Sequence, residues 1–284
     1  MPESTGVDDV ANGRVPGQRP APGARSQEEA VSDEGPLRRQ KSAGPVVVHV
    51  PHSSATIPDG LRDQFALSDG ELAGVHKAMV DHDTDLIAGD LAEVVRFGFS
   101  RLLVDVERFW DDDLEAMADI GMGAIYRVDH ELRSIRRDLD HAENEVLHEM
   151  YDDHHSRLEL AVDRALKAHD RCLIIDLHSY PAIGQPYERC DGPRPELCLG
   201  TDDFHTPEAL ASLAESVAAA HGFGACRNTP FAGTLVPMKH YRTDARVVSL
   251  MLEWRRDLYR HDGLSDPDAI QRLKAVVADV MASW

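Results

Sequence analysis

An α/β fold, with a mostly parallel but mixed central sheet covered by helices on both faces, is predicted by three observations. Short apolar runs of strand length recur at Pro45–Val50, Arg101–Val106, Arg171–Leu177 and Val247–Leu252. Helical patterns lie between them, which is the alternation of a three-layer α/β/α domain. Several of the apolar runs end in a histidine or a carboxylate, as happens where the carboxyl ends of parallel strands build a ligand site.

Each element carries a local reason. Val46–Val50 is a near-continuous aliphatic run fit for burial on both faces. Ser68 with Glu71 forms a capping box for a helix running toward Met79, and Asp83 or Thr84 starts another expected to run through Val95. The longest helix is expected over Glu143–His169. Thr206 and Pro207 open a further helix that Gly222 closes, and Ser265 with Pro267 opens a last one reaching Met281. Trp110–Asp140 and Ser179–Pro195 lack clean periodicity and carry Gly, Pro and charge, the pattern of active-site loops.

Of the 284 residues, Met1–Ser42 is rich in Pro, Gly, Ser, Glu and Arg and nearly free of large aliphatic side chains, so it is expected to be a disordered tail. Residues 43–284 are then expected to form one catalytic domain. Thirty basic against 50 acidic residues give a formal charge of −20, which opposes nucleic acid and anionic membrane surfaces as partners. An anionic substrate would need arginines in its own pocket. No apolar leader or membrane span is visible, and a cytoplasmic location is expected. The four cysteines lack the paired spacing of a structural zinc site and read as free thiols.

Val-Pro-His-Ser (50–53), Asp-Leu-His-Ser (176–179) and Met-Leu-Glu-Trp (251–254) place His52, His178 and Glu253 at strand ends. Two histidines, an acidic ligand and a free glutamate are what zinc-dependent amide hydrolysis requires. His52 either binds metal or hydrogen-bonds a loop. His178 is the stronger candidate, because Asp176 lies two residues back on the same strand face and can orient the ring. Val-Asp-His-Asp-Thr-Asp (80–85) offers three aspartates, each a ligand or a helix cap. Glu253 is either the base acting on a water or a partner of Arg255 or Arg256. Arg108 either clamps a substrate carboxylate or pairs with Glu107.

Taken in order, Val-Pro-His-Ser (50–53), Asp-Thr-Asp (83–85), Ser-Arg-Leu-Leu-Val-Asp-Val-Glu-Arg (100–108), Asp-Leu-His-Ser (176–179), Leu-Gly (199–200), Asn-Thr-Pro-Phe-Ala-Gly (228–233) and Leu-Glu-Trp-Arg-Arg-Asp-Leu-Tyr (252–259) resemble the N-formylglutamate amidohydrolases. The resemblance implies a zinc carboxypeptidase-like fold and hydrolysis of an N-formyl or similar small N-acyl amino acid. It implies one zinc ion on His52, Asp85 and His178, with Asp83 in reserve, and Glu253 as the catalytic base. It implies Arg108 on the substrate carboxylate, and Arg101 or Lys239 is expected to help hold that group. Glu107 stands where that family has Asn, and Thr234 where a second glycine is common, so the amino acid or the acyl group of the substrate stays open. The alternatives are the same chemistry on a different N-acyl amino acid or peptide, and a silent binding protein of the same fold.

Overall fold

A computed structural model of the chain describes residues 45–188 and 194–284. The expected tail 1–42 and Cys190 lie outside the described residues. The elements are β1 (Val46–Val50), α1 (Asp69–Met79), α2 (Thr84–Ala88), β2 (Glu93–Arg96), α3 (His141–His169), β3 (Cys172–Tyr180), β4 (Leu197–Gly200), α4 (Glu208–Ala220), β5 (Ala225–Arg227), β6 (Val247–Arg255), the short pair β7 (Arg260–His261) and β8 (Leu264–Ser265), and α5 (Pro267–Ser283).

The main sheet has the order β2-β1-β3-β6-β4-β5. Every neighbouring pair is parallel except β4 and β6, so the sheet is mixed and mostly parallel. Alternation along the strands sends side chains to two cores. Val46, Val48 and Val50 join Leu173, Ile175, Leu250 and Leu252 beneath α4 and α5, whereas Val47, Ile174 and Val247 pack under Leu158, Ala161 and Val162 of α3. Each fully buried aliphatic side chain contributes about 1.5–3 kcal/mol, so these two interfaces hold the layers together.

The caps act as their residues suggest. Ser68 and Glu71 make a complete capping box on α1, and Asp140 with Glu143 makes another on α3. The helix begun at Thr84 ends at Ala88 rather than Val95, because Gly89 turns with φ +50° and 93–96 pairs with β1. The expected strand Arg101–Val106 is absent. Leu102, Leu103, Val104 and Val106 are buried instead in a separate cluster with Leu72, Val75 and Met79 of α1 and with Tyr126, Ile135 and Leu147. Its backbone is satisfied without a ladder: Asp105 N–H donates to the Ala124 carbonyl at 2.7 Å, and Arg136 donates to the carbonyls of Leu102 and Leu103. Among the described residues no helix is long and apolar enough to cross a membrane.

Candidate active site

Strand register sets the first contacts. His178 on β3 lies beside Glu253 on β6, and Asp176 lies beside His49 on β1. Pro51 and His52 follow β1 directly, and the His52 carbonyl accepts the Asp81 N–H at 2.9 Å. That bond ties the turn after α1 to the end of β1, so Asp81 arrives between two imidazoles. Asp81 Oδ2 is 3.1 Å from His178 Nδ1 and 3.7 Å from His52 Nδ1.

The other nitrogen of each ring is taken. His52 Nε2 meets Asp105 Oδ1 at 2.8 Å, leaving Nδ1 buried and without a hydrogen-bond partner. His178 Nε2 meets Asp176 Oδ1 and Glu107 Oε2, each at 3.1 Å. A carboxylate on the far nitrogen fixes the tautomer of a metal-binding histidine. Spacings of 3.1 and 3.7 Å bracket the ligand-to-ligand edge, about 3.3 Å, of a tetrahedral zinc site. Two imidazoles with a carboxylate between them are a donor chemistry suited to a divalent metal ion. Glu107 is a further carboxylate at the same place, since atoms of His52, Glu107 and His178 lie within 4.8 Å of one another.

Electrostatics follow from this crowding. Burial works against charge on Asp81, yet His178, His52 and Arg101 hold its carboxyl well below the usual range. Asp105 is held down in the same way by Arg101 and His52, and Tyr126 donates to its Oδ2 at 2.5 Å. Burial opposes the charge on His178, but Glu107 and Asp176 keep it well above its ordinary value. Glu253 is the exception among the acids: burial, with Asp81 and Glu107 nearby, pushes its carboxyl up to about 8 against the pull of His178. These groups line a cavity of about 160 Å³ that also holds Arg101, Arg108, Tyr126 and Arg256.

The structure thus brings together His52, His178, Glu253, Arg101 and Arg108, and leaves out three candidates, Asp85, its reserve Asp83, and Lys239. Asp85 sits in the first turn of α2, is absent from the cavity wall and serves a helix start. Asp83, the reserve, is N-cap of α2 and is engaged by Arg260 at 2.5 Å and Ser265 at 2.6 Å. Lys239 lines a different cavity, where its ammonium pairs with Asp163 at 2.5 Å and Glu159 at 3.5 Å on α3. Arg101 is committed to Asp105 at 2.7 Å, so it acts on the site chiefly through that carboxylate. Arg108 is freer: its buried Nε has no hydrogen-bond partner, and the Glu115 carboxylate is 3.9 Å away.

Sequence reasoning weighed Asp81 only as one of three aspartates in 80–85, named Arg256 only as a partner for Glu253, and passed over Asp105. Arg256 donates to the carbonyls of Ala78 and Ser179 and stands 3.5 Å from Asp81, bracing both arms of the site.

No curated protein sequence matches this chain. The crystal structure of N-formylglutamate amidohydrolase from Ralstonia eutropha JMP134 is similar over 86% of this chain and 94% of that one, with a TM-score of 0.71 and 22% identity. A gene product of Agrobacterium tumefaciens is similar over 85% and 92%, with a TM-score of 0.62 and 22% identity. These two likenesses concern the fold and agree with the mixed α/β sheet described above. The sequence itself matches the N-formylglutamate amidohydrolase description over residues 44–260, a span that includes β1 through β6 and every residue of the cavity, and the chain therefore belongs to the N-formylglutamate amidohydrolase family.

Proposed function

We propose that the protein hydrolyses the amide of an N-formyl or similarly small N-acyl amino acid, with a zinc ion on His52, Asp81 and His178. N-formyl-L-glutamate, giving formate and glutamate, is the reference substrate that the family suggests. The observation that carries this reading is the pair of imidazoles whose Nδ1 atoms face Asp81 Oδ2 while Asp105 and Asp176 occupy their Nε2 atoms. Zinc bound there would supply Lewis acidity toward a water and the acyl carbonyl.

The chain's own groups account for the rest. Glu253, its carboxyl raised by burial, in its ionised form accepts the proton of the attacking water and returns it to the leaving nitrogen. A carboxyl with an ordinary pKa would be a weaker proton donor in the second half of that cycle. Arg108, with its unpartnered Nε in the cavity wall, receives the substrate carboxylate and so fixes where the amide lies. Arg101, Tyr126 and Asp105 form one hydrogen-bonded group that holds the His52 ring in place.

Glu253→Gln tests this reading. The variant should keep its zinc and bind substrate, while formate release falls by about a hundredfold or more. Unchanged turnover in a variant with full zinc would remove Glu253 from the chemistry.

A further inference from the structure

Beside the catalytic cavity lies a second one of about 360 Å³, and the two share Glu107, Arg108, Ala232 and Met251 in their walls. They are adjoining chambers with Arg108 at the junction. The first is small, and the second is more than twice as large. Its wall is mostly apolar, with Val106, Phe109, Leu235, Val236, Met238 and Met251 contributing. Phe109 is 46% exposed and Met238 is 65% exposed, so large apolar groups face solvent at its rim.

The charged groups of this second chamber decide what it can accept. Among the described residues they are Glu107 and Arg108, with His155 the remaining titratable group apart from two tyrosines. The Glu107 carboxyl lies 3.1 Å from His178 and 3.3 Å from His49, so this acidic group is already engaged with two imidazoles. Burial, with His49, pushes His155 down, so it is neutral near pH 7. Once Arg108 holds a substrate α-carboxylate, a second carboxylate entering the large chamber would meet the acidic Glu107 and no further Lys or Arg among the lining residues. An apolar side chain would cover Phe109 and Met238 instead.

We infer that the large chamber is the subsite for the substrate's side chain, and that the protein acts on N-formyl amino acids with large apolar side chains in preference to N-formylglutamate. This rests on the deformylase reading above and deepens it. The Tyr151 hydroxyl, which donates to the Arg108 carbonyl at 2.9 Å, then positions the junction between the chambers. Discrimination in apolar pockets runs at about tenfold to two-hundredfold per methylene, so a preference of at least about tenfold is expected.

The test uses the full zinc-loaded chain and measures formate release from N-formylleucine, N-formylmethionine, N-formylphenylalanine, N-formylglycine and N-formylglutamate. In parallel, glutamate release is measured from N-octanoylglutamate. The expected result is a kcat/KM for the apolar substrates at least about tenfold above that for N-formylglutamate. Met238→Arg, at the exposed rim, should raise kcat/KM for N-formylglutamate and lower it for N-formylleucine. A wild-type preference for N-formylglutamate, faster cleavage of the octanoyl compound, or a Met238→Arg variant with unchanged selectivity would each overturn the inference. Release of formate from none of the substrates would instead remove the deformylase reading. In that event, calorimetry with zinc-loaded Glu253→Gln decides the subsite: tighter binding of N-formylleucine than of N-formylglutamate keeps it, and equal or weaker binding removes it.

Discussion

His52 and His178 each turn one ring nitrogen to Asp81 and the other to a carboxylate of their own, and this makes single substitutions informative. Asp81→Asn should lower bound zinc well below one equivalent and abolish formate release, with helix content near that of the parent. Asp85→Asn should keep both zinc and turnover, because Asp85 sits in the first turn of α2 and is not part of the cavity wall. Metal analysis of the two purified variants checks the pair, and the reverse result would restore Asp85 as the ligand. Lys239→Ala should leave kcat/KM unchanged, since that ammonium is paired on α3. His52, His178 and Glu253 were legible in the sequence because a polar residue ending an apolar run needs only strand direction to be placed. Asp81 was not, because three aspartates in 81–85 all satisfy the same local rules for starting a helix. What separates them is the bond from Asp81 N–H to the His52 carbonyl, a contact across 29 positions that no local pattern encodes.

Helices other than α2 were read closely because their ends carry their own chemistry, as in the capping boxes at Ser68 and Asp140. Ser68→Ala should cost about 1 kcal/mol, measured by denaturant unfolding. Strands were read less well. The run 102–106 has the composition of a buried strand, yet it is buried by α1 and by the loop through Ile135 rather than by neighbouring strands. Apolar runs report burial, and the choice between ladder and turn is made by what the rest of the chain supplies. Gly200, at the end of β4, shows the same dependence. A Cβ there would sit 2.1 Å from the Gly233 carbonyl oxygen and 2.9 Å from Met251 Cβ. Gly200→Ala should therefore destabilise by about 1–3 kcal/mol and alter KM, because both neighbours belong to cavity walls. A thermal scan and a saturation curve check the two halves separately.

At the scale of the molecule, buried histidines shape the response to pH. Burial, with His49 beside it, pushes His154 down to about 2, and burial with His82 lowers His76 to about 4. Both stay neutral in the fold while the unfolded chain takes up protons below about pH 6.5. The unfolded state thus binds more protons, and stability should fall as pH drops from about 6.5 toward 4. For His49, burial is outweighed by Asp176 and Glu107, which raise it to about 9. The fold then holds the extra proton, and that contribution should be lost as pH rises from about 6.5 through 9. A melting-temperature profile in 1 M salt, where the screening length is about 3 Å, should show a maximum near neutrality. His76→Asn should make its acid limb shallower, and a flat parent profile between pH 4.5 and 6.5 would remove this account.

The outermost strands of the main sheet, β2 and β5, are four and three residues long. Charge guards both: Glu93 of β2 is gripped by Arg164, and Arg227 of β5 is held by Glu208 and Glu215. A foreign chain seeking to extend the ladder would find few free backbone groups and would have to break ion pairs to reach them. Concentrated stocks of the folded protein should accordingly resist fibril growth, and strong acid, which neutralises those carboxylates, is where such growth should first be seen.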